Sequence, residues 1–485
     1  STRKESSAAS DVYKRQMKVY LAIDFGSTYT KLTAVDMENE VILATAKDIT
    51  TVEDDIMIGF DKAFTKLKAE INKKIDFDKV EFIGKTACSS AAGGLKMVAI
   101  GLVPELTAEA AKKAALGAGA RVIKTYSYEL NHREMEEIKA TPLDIILLAG
   151  GTDGGNKECI IHNAKMIVEH EIKVPVVVAG NKAAIDEIEE IFKNAGIDYY
   201  VAANVMPFIN KLNVEPSREE IRKVFMNRIV EAKGMKQAED YIKGILMPTP
   251  AAVLKAAEIL SVGTDDEDGI GDLIVVDIGG ATTDVHSIAK GEPTKPSVMI
   301  KGLEEPFAKR TVEGDLGMRY SALALLEAAG TRKIRNYLHD SLKQVDVKAE
   351  CKHRHDNIRV VPQTEEEIRF DEAMAMAATE LAMTRHCGIL ECVYTPMGTM
   401  FNQNGKDLTE TPFVIGTGGV IIHSMNPAGI LRAGNFNEQD PIHLKPLEPR
   451  FLVDKTYILS AMGLLAQDYP EVAIRVMKKY LVEAK

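Results

Sequence analysis

The chain has 485 residues, 46% of them hydrophobic and 27% charged, and its formal net charge is −11. This length exceeds what one hydrophobic core usually spans, so two or three domains are expected. The acidic balance and the scattered lysines and arginines argue against nucleic acid or an anionic membrane as a partner. No apolar run reaches the roughly 20 residues of a membrane span. Five dispersed cysteines without a CxxC pair indicate free thiols in a reducing cytoplasm.

The first folded segment is predicted to be an antiparallel meander. Residues 1–16 are polar, lack the apolar stretch of a secretory signal and precede Met17, so we interpret them as a non-native or disordered leader. From Val19 to Ala46, apolar runs alternate with short polar or glycine turns, as in strands joined by tight turns. Apolar residues recur with helical spacing over 54–75. Further helices are expected over 107–120 and 132–139.

The next block alternates strands with helices. The runs "IILLAGG" and "VPVVVAGN" each end in a glycine turn, and the second leads into an amphipathic helix. This alternation predicts an inserted α/β subdomain with parallel strands. Helical patterns then occupy 217–243 and 249–260, and the acidic loop Ser261–Asp272 leads to a further strand.

The last part of the chain is predicted to contain five helices. Two histidines, His353 and His355, lie in the polar stretch "KHRHD", which we interpret as an extended, solvated loop. No third ligand is evident nearby, which argues against a metal site there. The predicted helices cover residues 316–329, 332–344, 364–384, 456–467 and 470–482.

A strand, an aspartate and a glycine turn recur together at two distant places. Asp24 opens "DFGSTYTK" between two apolar runs, and Asp277 opens "DIGGATTD" in the same setting. Glycine allows a ligand to approach the backbone closely, and the amides that follow can form an anion-binding nest. A carboxylate at the end of a strand suits Mg²⁺ held mostly through water. Each turn alone is more often structural, but the pair predicts a site that grips phosphates from both sides.

A third glycine cluster, "IGTGGV", follows a strand at Ile415. The order of these three motifs resembles the phosphate-1, phosphate-2 and adenosine motifs of the actin/Hsp70/hexokinase superfamily. The resemblance implies two RNase H-like lobes that close on ATP and Mg²⁺, joined by helices with small residues at their crossing. Candidates for these helices are Pro248–Leu260 and Tyr457–Ala466.

Within that superfamily, "GGATTD" is closest to the hydantoinase A branch. Over nearly its whole length the chain resembles the accessory proteins of glutamate (methylaspartate) mutase, the GlmL or MutL type, which are unrelated to mismatch repair MutL. The resemblance rests on four stretches, "LAIDFGSTYTKLTAVD", "IILLAGGTDGGN", "TVEGDLGMR" and "VIGTGGVIIHS". The family implies an ATP-dependent reactivating chaperone, a weak ATPase, whose partner is an adenosylcobalamin-dependent mutase. The partner mutase is left open, and so is a homodimer.

The resemblance implies an α/β actin-like ATPase fold in three parts. These are a first lobe over residues 17–140, the inserted subdomain over 141–245 and a second lobe over 246–485. It also implies the site residues. Asp24, Asp277 and Asp284 are the catalytic carboxylates, with Asp24 and Asp277 on Mg²⁺. The residues that bind ATP or ADP are Gly26, Ser27, Thr28, Lys31, Gly279, Gly280, Ala281, Thr282, Thr283, Gly416, Thr417, Gly418 and Gly419.

Two other stretches admit two interpretations each. The glycine turns at 145–181 resemble a degenerate second copy of the phosphate-2 and adenosine elements. They either only turn the chain or form a second ligand or partner surface with Asp153 and Asn156 exposed. In "RTVEGDLGMRYSA", Glu313 and Asp315 either cap a helix or position the attacking water or the metal.

Two other function classes stay open from the sequence. An ATP-dependent small-molecule enzyme, hydantoinase-like or a kinase, would use the same fold. An electron-transfer activator of a dehydratase would need an iron–sulfur cluster held by thiolates, and the dispersed cysteines do not favour it.

Overall fold

A computed structural model describes residues 16–26, 28–51, 55–90, 95–230, 242, 246–395 and 398–485. They form two compact units, each built from separate stretches of chain. The first unit lies within residues 1–94, 222–269 and 458–479, and the second within 95–221, 270–457 and 480–485.

We number strands and helices in chain order. The strands are β1 Met17–Phe25, β2 Tyr29–Asp36, β3 Val41–Ile49, β4 Val80–Ser89, β5 Lys96–Gly101, β6 Arg121–Ser127, β7 Ile145–Leu148, β8 Val176–Val178, β9 Tyr199–Val201, β10 Leu246–Pro248, β11 Leu273–Ile278, β12 Thr283–Ile288, β13 Val298–Ile300, β14 Ala308–Glu313, β15 Ile389–Thr395, β16 Gly398–Asn404, β17 Phe413–Thr417, β18 Arg450–Val453 and β19 Val482–Glu483. The α-helices are α1 Ile56–Asn72, α2 Glu109–Gly117, α3 His132–Ala140, α4 Glu158–Glu169, α5 Ile185–Ala195, α6 Glu215–Val230, α7 Thr249–Val262, α8 Ala322–Tyr337, α9 Val347–Asp356, α10 Glu365–His386, α11 Gly419–Ile422, α12 Pro427–Arg432, α13 Leu459–Leu465 and α14 Pro470–Tyr480.

The first unit contains a mixed sheet in the order β10-β4-β1-β2-β3. β1 is antiparallel to β2, and β2 is antiparallel to β3, which confirms the predicted meander. On the other side of β1, β4 and β10 run parallel to it. Every residue from Val19 to Phe25 is buried, because this central strand has neighbours on both sides and is covered on both faces.

The second unit repeats that order in the sheet β14-β12-β11-β17-β18, to which β19 is added at the edge. β11 is antiparallel to β12, β12 to β14, and β17 and β18 run parallel to β11. Two sheets with the same order and the same directions are what tandem RNase H-like lobes require. The predicted α/β actin-like ATPase fold is therefore confirmed. Helix α10 packs against β11, β12 and β14 of this sheet, with one face in the hydrophobic core.

The second unit also contains the inserted α/β subdomain, whose sheet is wholly parallel in the order β6-β5-β7-β8-β9. Strands β5 and β6 precede the boundary predicted at residue 141. They belong to this sheet because Met97 pairs with Ile145, so β7 has a neighbour on each side. A four-residue strand with every side chain buried requires neighbours on both sides, and the subdomain therefore begins earlier than predicted.

One helix prediction needs correction. The stretch "KHRHD" is the last turn of α9 rather than an extended loop, because Asp346 caps this helix by accepting from the amides of Lys348 and Ala349. The two helices predicted over 316–329 and 332–344 are confirmed with shifted ends, because the element numbered α8 is interrupted at Gly330, where φ is +74°, so that one helix precedes this residue and another follows it as far as Tyr337. Helix α6 covers the described residues Glu215–Val230, and most of the remaining residues of the helix predicted over 217–243 lie outside the described ones.

Candidate functional site

The turn after Asp24 is closed by its own backbone. The amide of Gly26 donates to the carbonyl of Tyr29 at 3.1 Å. A Cβ at Gly26 would lie 2.6 Å from that oxygen, so this position accepts only glycine without a backbone shift. Thr28 is exposed at the turn, whereas Ser27 lies outside the described residues. Among its described residues the turn therefore presents its backbone and the exposed Thr28 to solvent, as a phosphate-binding turn requires.

Asp24 is 5% exposed and lies among hydroxyl donors. Thr249 Oγ1 donates to its Oδ1 at 2.7 Å, and Ser460 Oγ donates to its Oδ2 at 3.3 Å. Lys31 Nζ lies 3.9 Å from Oδ2. The Cys88 thiol donates at 3.5 Å, and burial, followed by the charge of Asp24, raises the pKa of this thiol well above its ordinary value. Two hydroxyls, one thiol and one lysine therefore surround the carboxyl group.

Thr249 and Ser460 come from the two helices predicted to cross through small residues. α7 and α13 pack so closely that a Cβ at Gly463 would lie 1.8 Å from the carbonyl oxygen of Ala252. This crossing brings the first turns of both helices to Asp24. Neither hydroxyl was identified from the sequence, because they lie 225 and 436 positions away from Asp24.

The second turn places two carboxylates side by side. Asp277 and Asp284 are directly opposite each other in the β11–β12 pair, so both side chains point to the same face. The amide of Gly279 donates to the carbonyl of Thr282 at 2.9 Å, and Thr282 Oγ1 donates to Asp284 Oδ2 at 3.0 Å. A Cβ at Gly280 would come no closer than 3.7 Å to any neighbour. The tip of this turn is therefore open to a ligand.

Residues of the segment 314–321 hydrogen-bond to the backbone of this turn. The amides of Met318 and Arg319 donate to the carbonyls of Gly279 and Gly280 at 3.0 and 2.8 Å, and Ser321 Oγ donates to the carbonyl of Ala281 at 2.7 Å. These bonds fix the three carbonyls.

The position of the Thr283 side chain contradicts its predicted contact with phosphate. Its side chain is fully buried, and its hydroxyl donates to the carbonyl of Leu316 at 2.7 Å. The hydroxyl therefore holds the turn to the segment beneath it and does not face a ligand. Position 282, one residue earlier on the other face, supplies the accessible hydroxyl.

The third glycine cluster lies beside the second turn. Thr417 pairs with Asp277 in the parallel β11–β17 ladder. Gly418 has φ of +96°, and a Cβ there would lie 2.3 Å from the carbonyl oxygen of Ile278, whereas a Cβ at Gly419 would meet nothing within 4 Å. Gly416 is packed against Ile421 and Leu431. The phosphate-2 and adenosine motifs are thus neighbours, with an open backbone surface at Gly419.

Glu313 and Asp315 have a common partner in Arg385. Its guanidinium donates to Glu313 at 2.7 Å and to Asp315 at 2.7 and 2.9 Å. Hydrogen bonding to Arg385 lowers the pKa of Asp315, whereas burial raises the pKa of Glu313. Neither carboxylate caps α8, whose N-cap is Ser321. Both acids are engaged by the arginine at the end of α10.

The glycine turns of the inserted subdomain are held by two buried asparagines. Asn181 accepts from the amide of Gly154 at 3.2 Å and donates to the carbonyl of Gly155 at 3.0 Å. Asn204 donates to the carbonyl of Gly151 and to Asp153, both at 3.0 Å. These bonds favour a structural role. The block is also no copy of the phosphate-2 hairpin, because β7 is followed by a helix and a parallel strand rather than by an antiparallel one.

Over the part of the chain that the structure describes, no group of three or more His, Cys, Asp or Glu side chains could together hold a metal ion. Within the same residues, none of the helices combines the length and the apolar character of a membrane span.

Comparison with known proteins gives a match along the chain. The family model described as "MutL protein" matches residues 20–481. A protein of Clostridium tetanomorphum, "Protein MutL", is 68% identical over 467 residues, which cover 96% of this chain and all of that one.

Three solved structures are similar at low identity. Acetone carboxylase in its nucleotide-free form is 13% identical with a TM-score of 0.38, and the match covers 93% of this chain and 71% of that one. The 2-hydroxyisocaproyl-CoA dehydratase activator of Clostridium difficile is 11% identical with a TM-score of 0.30, and the match covers 95% of this chain and 97% of that one. Gluconate kinase of Lactobacillus acidophilus is 12% identical with a TM-score of 0.32, and the match covers 97% of this chain and 93% of that one. The fold assignment rests on the strand order and not on these scores.

Proposed function

The chain belongs to the MutL protein family, and from this membership we propose that it is an ATP-binding and ATP-hydrolysing accessory protein. Its partner in this proposal is an adenosylcobalamin-dependent mutase, glutamate mutase or a related aminomutase, which it reactivates in the cytoplasm. One observation carries the proposal: two sheets of the same strand order each bear an aspartate and a glycine turn between their first two strands.

Asp24 and Asp277 are the residues that would hold Mg²⁺. A carboxylate at each turn suits this ion, which keeps several waters and binds proteins through one or two carboxylates. When bound, Mg²⁺ would neutralise charge on the phosphates of the nucleotide.

The chain's own groups would bind and orient the phosphates. The amide of Gly280 and the hydroxyl of Thr28 would donate to phosphate oxygens, and Thr282 would do so once its hydroxyl turns away from Asp284. Gly26 and Gly279, whose amides donate within their own turns, would let the phosphates approach the backbone closely. In the same scheme Lys31 supplies a positive charge, and the backbone at 418–419 borders the adenosine. Ser27 keeps its predicted role as a further hydroxyl. Catalysis of this kind depends on positioning and electrostatics and uses no covalent intermediate. Hydrolysis would then change the affinity for a mutase that carries a damaged cofactor.

The test compares ATP hydrolysis by the wild type, Asp277→Asn and the control Asp265→Asn, each with and without inactivated glutamate mutase. Asp265 is exposed in the loop before β11, so its variant controls for the loss of one carboxylate. We expect the mutase to stimulate wild-type hydrolysis and D277N to lose about a hundredfold in rate, whereas D265N matches the wild type.

Two outcomes would contradict the proposal. Hydrolysis by D277N at the wild-type rate would remove Asp277 from the site. Phosphorylation of a metabolite with no mutase present would instead identify a kinase on the same fold.

A further inference from the structure

Arg310 joins the second glycine turn to the inserted subdomain. This residue of β14 is 5% exposed. Its Nε donates to Asp284 Oδ1 at 2.8 Å, and its Nη2 lies 2.5 Å from the same oxygen. Its Nη1 donates in the opposite direction, to the carbonyls of Leu116 and Ala120 at 3.0 and 3.1 Å. One buried guanidinium therefore has two separate sets of acceptors.

The second set of acceptors lies at the carboxyl end of α2. The last carbonyls of a helix have no partner within it and carry the negative end of the helix dipole. Arg310 donates to the carbonyl of Leu116 in the last turn of α2, which also accepts from the amide of Gly119, and to the carbonyl of Ala120 beyond the helix end. The backbone there is ordered by further bonds, since the amides of Ala118, Gly119 and Ala120 donate to carbonyls of the same helix.

The first set of acceptors belongs to the phosphate-2 turn. Asp284 holds Thr282 through its other oxygen, and Thr282 is a proposed phosphate ligand. Electrostatic interactions are strong inside a protein, where the effective dielectric constant is low. A change in the charge close to Asp284 would therefore alter how strongly Arg310 binds this carboxylate relative to the carbonyls at the helix end.

We propose that Arg310 is a positioning residue that holds Asp284 in the phosphate-2 turn and transmits its state to residues 116–120 of the inserted subdomain. The proposal deepens the proposed function and rests on it for the nature of the signal, a phosphate that arrives at the turn. The contacts that connect Asp284 through Arg310 to residues 116–120 do not require nucleotide, so this connection can be tested in its absence.

Other contacts hold α2 against β14 without reaching Asp284. Arg218 donates to the carbonyl of Ala308 at 3.2 Å and packs against Gly117. Glu305 lies between Lys113 at 3.2 Å and Lys309 at 3.3 Å. Arg218 is therefore the matched control, a buried arginine at the same junction with no bond to the turn.

The experiment is a double-mutant cycle read by amide hydrogen exchange at residues 118–120, in the full chain and without nucleotide. The variants are Asp284→Asn, Arg310→Gln, their combination, Arg218→Gln and Arg218→Gln with Asp284→Asn. Circular dichroism checks folding, and Arg310→Lys replaces Arg310→Gln if the latter does not fold.

We expect D284N to raise the amide exchange rate at residues 118–120 about tenfold. In the R310Q background, D284N should raise this rate no further. In the R218Q background D284N should keep its full effect. An unchanged exchange rate in D284N would overturn the proposal, as would an equal increment with and without Arg310.

A second arm adds Mg²⁺ and ATP to the wild type and R310Q, with ATP binding measured by equilibrium dialysis. We expect exchange at 118–120 to change in the wild type only. Bound ATP without this change would overturn the transmission. No bound ATP would instead refute the proposed function, while the nucleotide-free cycle still decides the link from Asp284 to the helix.

Discussion

Lys406 gives the second unit a measurable dependence on pH. The residue is fully buried, and its ammonium donates to the carbonyls of Phe307 at 2.7 Å and Ser287 at 3.2 Å. Burial, with a smaller effect from the charge of Lys309, lowers the pKa of Lys406 from 10.5 to about 7. The unfolded chain keeps the ordinary pKa, so unfolding takes up a proton when the pH lies between these two values.

The sign and size follow from proton linkage. Between pH 7 and 10.5 the unfolded state binds more protons, so the free energy of unfolding rises with pH; below about pH 7 both states are protonated and the dependence ends. One pH unit is worth about 1.4 kcal/mol, so the wild type should gain up to about 2.7 kcal/mol from this group between pH 7 and 9. Lys406→Met removes the titrating group and should lose this gain.

The assay is urea unfolding, followed by circular dichroism from pH 6 to 9, for the wild type, Lys406→Met and the control Lys290→Met. The hydrogen bonds lost in K406M shift its whole profile by a constant amount, so only the slope is compared. Lys290 is exposed, and its variant should follow the wild-type slope. Parallel profiles for K406M and the wild type would refute the reasoning, because Lys406 would then hold its proton equally in both states.

Two further predictions concern the support of Asp24. Gly463→Ala should destabilise the first unit by about 1–3 kcal/mol in urea unfolding, because the overlap with the backbone carbonyl of Ala252 outweighs the gain in helix propensity. Wild-type stability would show that the helices separate at little cost. Thr249→Val keeps the shape but removes the 2.7 Å bond to Asp24, and should lower ATP turnover about tenfold while the unfolding midpoint moves little. Unchanged turnover in T249V would mean that Asp24 needs no orientation.

The parts of the fold that depend on neighbours in sequence could be predicted. Both hairpins, 19–36 and 273–288, are formed by strands joined through a tight turn, so the alternation of apolar runs and glycine turns was sufficient. The cross-strand position of Asp284 opposite Asp277 follows from the same short turn.

Sheet membership and the support of the site depend on distant pairing and could not be predicted in this way. Strand β5 lies within residues 17–140, which were assigned to the first lobe, because only its pairing with β7 reveals its sheet. Arg310, Thr249 and Ser460 contact the two aspartates across long stretches of chain, and no local pattern marks them. Asp346 is the exception, since an aspartate before a helix is a capping signal that could have identified α9.

The crossing of α7 and α13 has a consequence for protein synthesis. The pocket of Asp24 is complete only with Ser460, which leaves the ribosome 436 residues later, about 20–90 s at ~5–20 residues per second. Until then a nascent chain carries Asp24 without the Ser460 hydroxyl, and Tyr20 lacks its bonds to Leu464 and Asp468. A prematurely terminated product would therefore carry the first glycine turn without the hydrogen bond from Ser460 to Asp24.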